Sequence, residues 1–213
     1  MSPDLIKQCG DDVPSHVTTY QEAIREALRE EMVHDESVFL LGEDIGTHGG
    51  AFGVTRTLFD EFGPERVRNT PISENTIAGA ATGAALVGMR PVAEIMFVDF
   101  SGLAMDQIAN QAAKLRLMTG GQCSVPWVIR MPQGGGAGKS TAAQHSQSLE
   151  VWYAHIPGLK VVLPSTPYDA KGLMKAAIRD DNPVIFLEPQ FLYSFQGSIP
   201  DHDYVILLRT CDV

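Results

Sequence analysis

Long apolar runs are missing from this 213-residue chain, and no stretch approaches the length a membrane-crossing helix needs. Positive charge is also scarce. Lys and Arg number 16 against 26 Asp and Glu, a formal net charge of -10, which repels phosphate backbones. No basic stripe with interleaved aromatics offsets it locally, so neither a membrane nor a nucleic acid is expected as a partner. The three cysteines, Cys9, Cys123 and Cys211, are odd in number and far apart, which argues against a disulfide framework and for reduced intracellular thiols. Cys-x-x-Cys pairs are absent, and the six histidines include no i, i+4 pair that would make a helical metal site. Gly-x-Ser-x-Gly is absent as well. The N-terminus has neither the apolar core of a secretory signal nor the arginines of a transit peptide, and residues 1–17 read as a lead-in.

One glycine-rich stretch, QGGGAGKST (Gln133 to Thr141), imitates a phosphate-cradling loop. The G-x-x-x-x-G-K-S/T pattern places its first glycine where this chain has Gln133, so the backbone amides are one residue short of curling round a phosphate. A nucleotide is therefore not the expected ligand of Lys139.

What the chain does contain is short apolar strands alternating with helices. Thr19 to Glu22 has the form of a capping box, and behind it Ile24, Ala27, Leu28 and Met32 recur at helical spacing. The run 38–41 reads as a buried strand that ends in Gly42, Glu43 and Asp44, and 46–53 as a glycine-rich loop. Residues 75–87 are mostly alanine, glycine and threonine, which predicts a closely packed, central helix. Further strands are expected at 92–97, 127–131, 159–163 and 184–187, and helices near 103–117 and 147–154. Thr166, Pro167 and Asp169 supply cap, first-turn proline and acid for a helix over 170–179. Periodicity fades from Gly197, leaving 204–208 as a possible strand. The predicted fold class is α/β, a parallel sheet with helices on both faces, and ligands of such sheets sit at the carboxyl ends of the strands.

Those ends carry few reactive groups. Glu74 lies where the small-residue helix begins, which suits a carboxylate favoured by the helix dipole as well as a catalytic one. His145 follows the glycine loop and suits a proton shuttle or a solvated loop residue. Phe97 and Phe100 end a core strand, where aromatics are usually core.

Three blocks taken together are more specific: TPISENTIAGAATGAALVGMRPVAEIMFVDF (Thr70 to Phe100), AAQHSQS (Ala142 to Ser148) and PGLKVVLPSTPYDAKGLMKAAIRDDNPVIFLEP (Pro157 to Pro189). In order and spacing they resemble the β subunit of the thiamine-diphosphate-dependent, decarboxylating component of 2-oxo acid dehydrogenase complexes. The resemblance runs from about Thr18 to Tyr193, and EIMFVDF and PSTPYDAKGL look nearest to the pyruvate and acetoin dehydrogenase members. It implies a transketolase-like pyrimidine-binding domain over 18–195. Glu74 then matches the glutamate that hydrogen-bonds the aminopyrimidine ring nitrogen of thiamine diphosphate. Phe100, Met96 and Ile72 match positions that line that ring, and His145 matches a histidine expected to assist substrate binding or transfer to the lipoyl group. Trp127, Ala177, Ile178, Asp180 and Asn182 fall where family members hold potassium, mainly through backbone carbonyls. QGGGAGKST corresponds to the loop before that histidine, and Lys139 has no place in the pattern.

The Gly-Asp-Gly block that holds magnesium and the diphosphate is absent here, so the resemblance implies an α subunit that supplies that half, an α2β2 heterotetramer, and a dihydrolipoyl acyltransferase core as further partner. Family β subunits continue into a second domain. Here 196–213 reads as the start of an interdomain linker whose end, RTCDV, departs from the pattern, as in a shortened gene, and a non-catalytic assembly remnant is the alternative expectation. Location would be cytoplasmic in a bacterium and the mitochondrial matrix or a plastid in a eukaryote. Pyruvate, acetoin and branched 2-oxo acids all stay open as substrates, because part of the acyl pocket would belong to the other subunit.

Overall fold

A computed structural model describes residues 14–135 and 142–208. Its centre is a six-stranded, wholly parallel sheet in the order β3-β2-β4-β5-β7-β6. The strands are β2 (Val38–Gly42), β3 (Val67–Asn69), β4 (Arg90–Glu94), β5 (Val128–Gln133), β6 (Lys160–Val162) and β7 (Val184–Pro189). A separate antiparallel pair joins β1 (Ser15–Thr19) to β8 (Gln196–Pro200).

Alternation along the strands builds two cores. Val38, Leu40, Val92, Val128, Val184 and Phe186 face one layer, and Phe39, Leu41, Ala93, Ile129, Ile185 and Leu187 face the other. The first layer is closed by α1 (Tyr20–His34) and α6 (Pro167–Arg179), and the second by α3 (Glu74–Leu86), α4 (Ala113–Met118) and α5 (Glu150–Ala154). A further short helix, α2 (Leu58–Phe62), leads into β3. Both predicted caps form: the Thr19 hydroxyl accepts from Glu22 N while the Glu22 carboxylate accepts from Thr19 N, and Thr166 caps α6 through Asp169 N.

Several expectations need correction. The helix expected near 103–117 is instead a 3-10 segment, Val98–Ala104, a π-helical segment, Asp106–Ala112, and then α4. The tighter pitch stacks residues three apart, which keeps Val98, Ser101 and Ala104 on one buried line; the wider pitch does the same for Ile108 and Ala112. Along α3 only one face is buried, so this helix is less central than its composition suggested. Residues 15–17, read as lead-in, belong to β1, and 204–208 form no strand. That segment lies along α6, with Ile206 N donating to Gly172 O and Tyr204 Oη donating to Tyr168 O.

His16 ties β1 to its neighbours. Its Nδ1 lies 2.6 Å from Asp201 Oδ1 and its Nε2 lies 3.2 Å from Glu26 Oε1 on α1. Asp201, and after it Glu26, raise the imidazole pKa above 6.5. A raised histidine stabilises the fold fully below pH 6.5, and the contribution is lost as pH rises through the folded value. Asp201→Asn is therefore expected to flatten thermal stability against pH just above 6.5, and an unchanged profile in a pH-melting series would refute the link.

Candidate active site

The carboxyl end of the sheet collects the reactive groups. β2 delivers Glu43, and α3 starts beneath it with Glu74 at its first position, only 7% exposed. A carboxylate placed there by the helix dipole alone could remain solvated, whereas this one is buried. Glu43 has its pKa raised, first by burial and then by the charge of Glu74. Two acidic side chains therefore share one partly desolvated corner.

Across the strand ends, His145 lies among aromatic rings. Its centroid is 4.7 Å from Phe97 and 5.2 Å from Phe100, both edge to face. The segment around it is pinned by Gln147, whose N and Nε2 donate to Asp99 Oδ1 at 3.2 and 2.9 Å and whose carbonyl accepts from Gly134 N at 2.8 Å. Among the described residues, buried Asp99 Oδ2 and Gln133 Oε1 find no hydrogen-bond donor. Met96 is half-buried one residue before Phe97, and Ile72 is 83% exposed. The structure thus brings Phe100 to His145 and Glu74 to Glu43, and leaves Ile72 open to solvent. Lys139 lies outside the described residues.

The donor set fits an aminopyrimidine in kind, since Glu74 is a buried carboxylate acceptor for a ring proton and Phe100 and Met96 are half-buried side chains suited to a flat apolar contact. The five residues expected to hold potassium gather about the turn between α6 and β7, and their polar groups already take protein donors. Trp127 O accepts from Val184 N, Ala177 O accepts from Asp180 N, and Ile178 O and Asp180 O accept from Arg90 Nη1 at 3.0 and 3.1 Å. Arg116 Nη1 donates to Asn182 Oδ1, and Lys160 pairs with Asp180. A monovalent cation fits here only through the second lone pairs of these carbonyls, beside three cationic side chains. Among the described residues, no group of three or more His, Cys, Asp or Glu is placed to hold a metal, and no helix is long and apolar enough to cross a membrane.

One constellation escaped the sequence reading. Arg130 on β5 is wholly buried; its Nε and Nη2 donate to the two oxygens of Glu188 on β7 at 2.7 and 2.8 Å, and its Nη1 donates to Glu94 on β4 at 2.6 Å. Tyr193 Oη donates to the same Glu188 at 2.7 Å. A signal existed: one charged residue interrupts each of three apolar strands at the same parity, Glu94 with Val92, Arg130 with Val128 and Glu188 with Phe186. Gly50 packs on this cluster with φ +79, and a Cβ there would stand 2.7 Å from Glu94 Oε1, so the 46–53 loop needs glycine at that point.

Residues 16–196 match the family model described as transketolase, pyrimidine binding domain. Over 198 residues the chain is 50% identical to the 2-oxoisovalerate dehydrogenase subunit beta of Bacillus subtilis (strain 168), covering 92% of this chain and 60% of that protein. It is 50% identical to the pyruvate dehydrogenase E1 component subunit beta of Gracilaria tenuistipitata var. liui, covering 90% and 59%. To the acetoin:2,6-dichlorophenolindophenol oxidoreductase subunit beta of Cupriavidus necator it is 52% identical, covering 86% and 56%. The chain thus spans about three-fifths of the length of these relatives. A solved structure titled split gene transketolase, inactive beta4 tetramer, superposes with a TM-score of 0.63 at 24% identity, covering 79% of this chain and 50% of that one, which supports the fold.

Proposed function

Because the chain belongs to the transketolase pyrimidine-binding family, we propose that it supplies the aminopyrimidine half of a thiamine-diphosphate site in the β subunit of a 2-oxo acid or acetoin dehydrogenase. The observation that carries this reading is Glu74, a carboxylate buried at the start of α3 within the PISE block, with Glu43 beside it. Thiamine diphosphate, when bound, provides a carbon nucleophile and an electron sink for decarboxylation. Glu74 would accept a hydrogen bond from the pyrimidine ring nitrogen and hold the proton exchanged there, its carboxylate being buried at the start of α3. Phe100 and Met96 would bear on the ring, Ile72 would cover it from the loop, and His145 would act on the acyl group or its acceptor.

The domain we propose runs over 18–195, with 196–213 as the start of an interdomain linker whose first residues, 196–200, pair with β1. An α subunit would bring the magnesium and diphosphate half, in an α2β2 assembly that docks on a dihydrolipoyl acyltransferase. The proposed location is the cytoplasm in a bacterium, or the matrix or plastid in a eukaryote. A potassium ion at Trp127, Ala177, Ile178, Asp180 and Asn182 would sit beside Arg90. Co-expression with an α subunit, then assay with pyruvate, acetoin and branched 2-oxo acids, is expected to give thiamine-diphosphate-dependent turnover that neither subunit shows alone. A stable complex inactive toward every one of these substrates would overturn the reading.

A further inference from the structure

Loop histidines ordinarily sample several rotamers, and a catalytic one must not. His145 is confined on two sides, by Phe97 at 4.7 Å and 79° and by Phe100 at 5.2 Å and 88°, while Phe97 and Phe100 meet each other at 5.8 Å and 76°. All three pairs have the edge-to-face geometry that aromatic rings favour, so each ring restricts the tilt of the other two.

Phe97 is itself in contact with a further ring. Phe52, on the 46–53 loop, meets it edge-on at 5.4 Å and meets Tyr193 at 5.3 Å. Neither of these two rings is free to drift. Phe52 O accepts from Gln21 Nε2, Val54 O accepts from Arg25 Nε at 3.1 Å, and Tyr193 is anchored through its hydroxyl to Glu188 and so to the Arg130 fork. A continuous row of packed rings therefore links the imidazole to the rigid ion cluster inside the sheet.

We propose that Phe97, backed by Phe52, is a positioning residue for His145: it fixes the plane of the imidazole and hence the direction in which the ring nitrogens face the reacting group. The role of His145 in acyl transfer rests on the proposed function above, but the ring geometry does not. A small misplacement of a reacting group can cost on the order of 100-fold in rate, which is why a loop residue needs such a wall.

Two readouts separate this proposal from the one it rests on. The first uses the chain alone, labelled with 13C-histidine, with the His145 signals assigned by their disappearance in His145→Gln. Phe97→Leu is expected to shift the His145 ring signals, because the ring current of Phe97 is lost and the imidazole reorients, while those of His16 and His155 stay in place. Phe52→Leu should shift them less, and Phe97→Tyr should keep them. His145 signals that stay in place in both leucine variants overturn the proposal; should Phe97→Leu fail to fold, Phe52→Leu alone decides it. The second uses the assembled enzyme, where Phe97→Leu should lower kcat by about 10- to 100-fold and leave KM for the 2-oxo acid nearly unchanged. A loss confined to KM would equally overturn it. Inactivity of the unmodified assembly would count against the proposed function and leave the spectra to decide the ring geometry.

Discussion

Replacing Glu74 by glutamine is expected to lower turnover of the assembled enzyme by about 100- to 10,000-fold, the range lost when a positioned acid or base is removed. The substitution keeps the shape of the side chain and its place at the start of α3, so packing against the second core layer should survive. What it removes is the group that can take the proton and the negative charge facing Glu43. Glu43 is held above its usual carboxylate range by burial and by Glu74. A raised carboxyl means the folded state binds its proton more tightly than the unfolded state does, so that group costs stability as pH rises through the ordinary range. With glutamine at 74 that Coulomb cost falls, and the variant should be at least as stable as the parent above pH 5. Loss of activity without loss of stability is the signature of a group placed for chemistry. Turnover and urea unfolding measured on the same preparation check both parts. Near-normal turnover, or collapse of the fold, would remove Glu74 from the mechanism.

The second large effect concerns stability. Arg130→Met is expected to cost about 3 to 5 kcal/mol, because it leaves Glu94 and Glu188 buried without their cation. In a chain of this size that corresponds to a fall in melting temperature of roughly 10 °C. Glu94 is the excess acid of the cluster, and burial raises its pKa even though Arg130 opposes the shift. Glu94→Gln should therefore cost much less than Arg130→Met, because the bidentate contact to Glu188 remains. Equal losses for the two variants would mean that Glu94, not the fork, anchors the sheet end. Tyr193 bonds to this cluster and Phe52 packs on Tyr193, so Arg130→Met should also loosen the wall behind His145.

Much of this was legible locally. The capping box of Thr19 and Glu22, the cap, proline and acid at 166–169, and the alternation of Val38 to Leu41 each depend on residues within one turn or a few steps along a strand. Local chemistry decides them, and the sequence is enough. The three blocks around Glu74, His145 and Pro157 to Pro189 were likewise sufficient to indicate the family, which the match over 16–196 bears out. β1, β3 and β8 were not legible. Each is short, and β1 and β8 find each other across nearly the whole chain, so their pairing is set by where the sheet leaves the two ends. The 3-10 and π segments after β4 were hidden for a related reason, since their pitch answers to the layer they pack against.

The sequence by itself determined the main helices and the central strands, their alternation into a parallel α/β sheet and the family of the chain, because these rest on contacts between near neighbours and on motifs of fixed spacing. Only the tertiary structure decided that Glu94, Arg130 and Glu188 meet, that Glu43 shares a corner with Glu74, and that Phe52 and Phe97 stand behind His145. These groups come from different strands and loops, and strand order and register bring them together only once the long connections have closed.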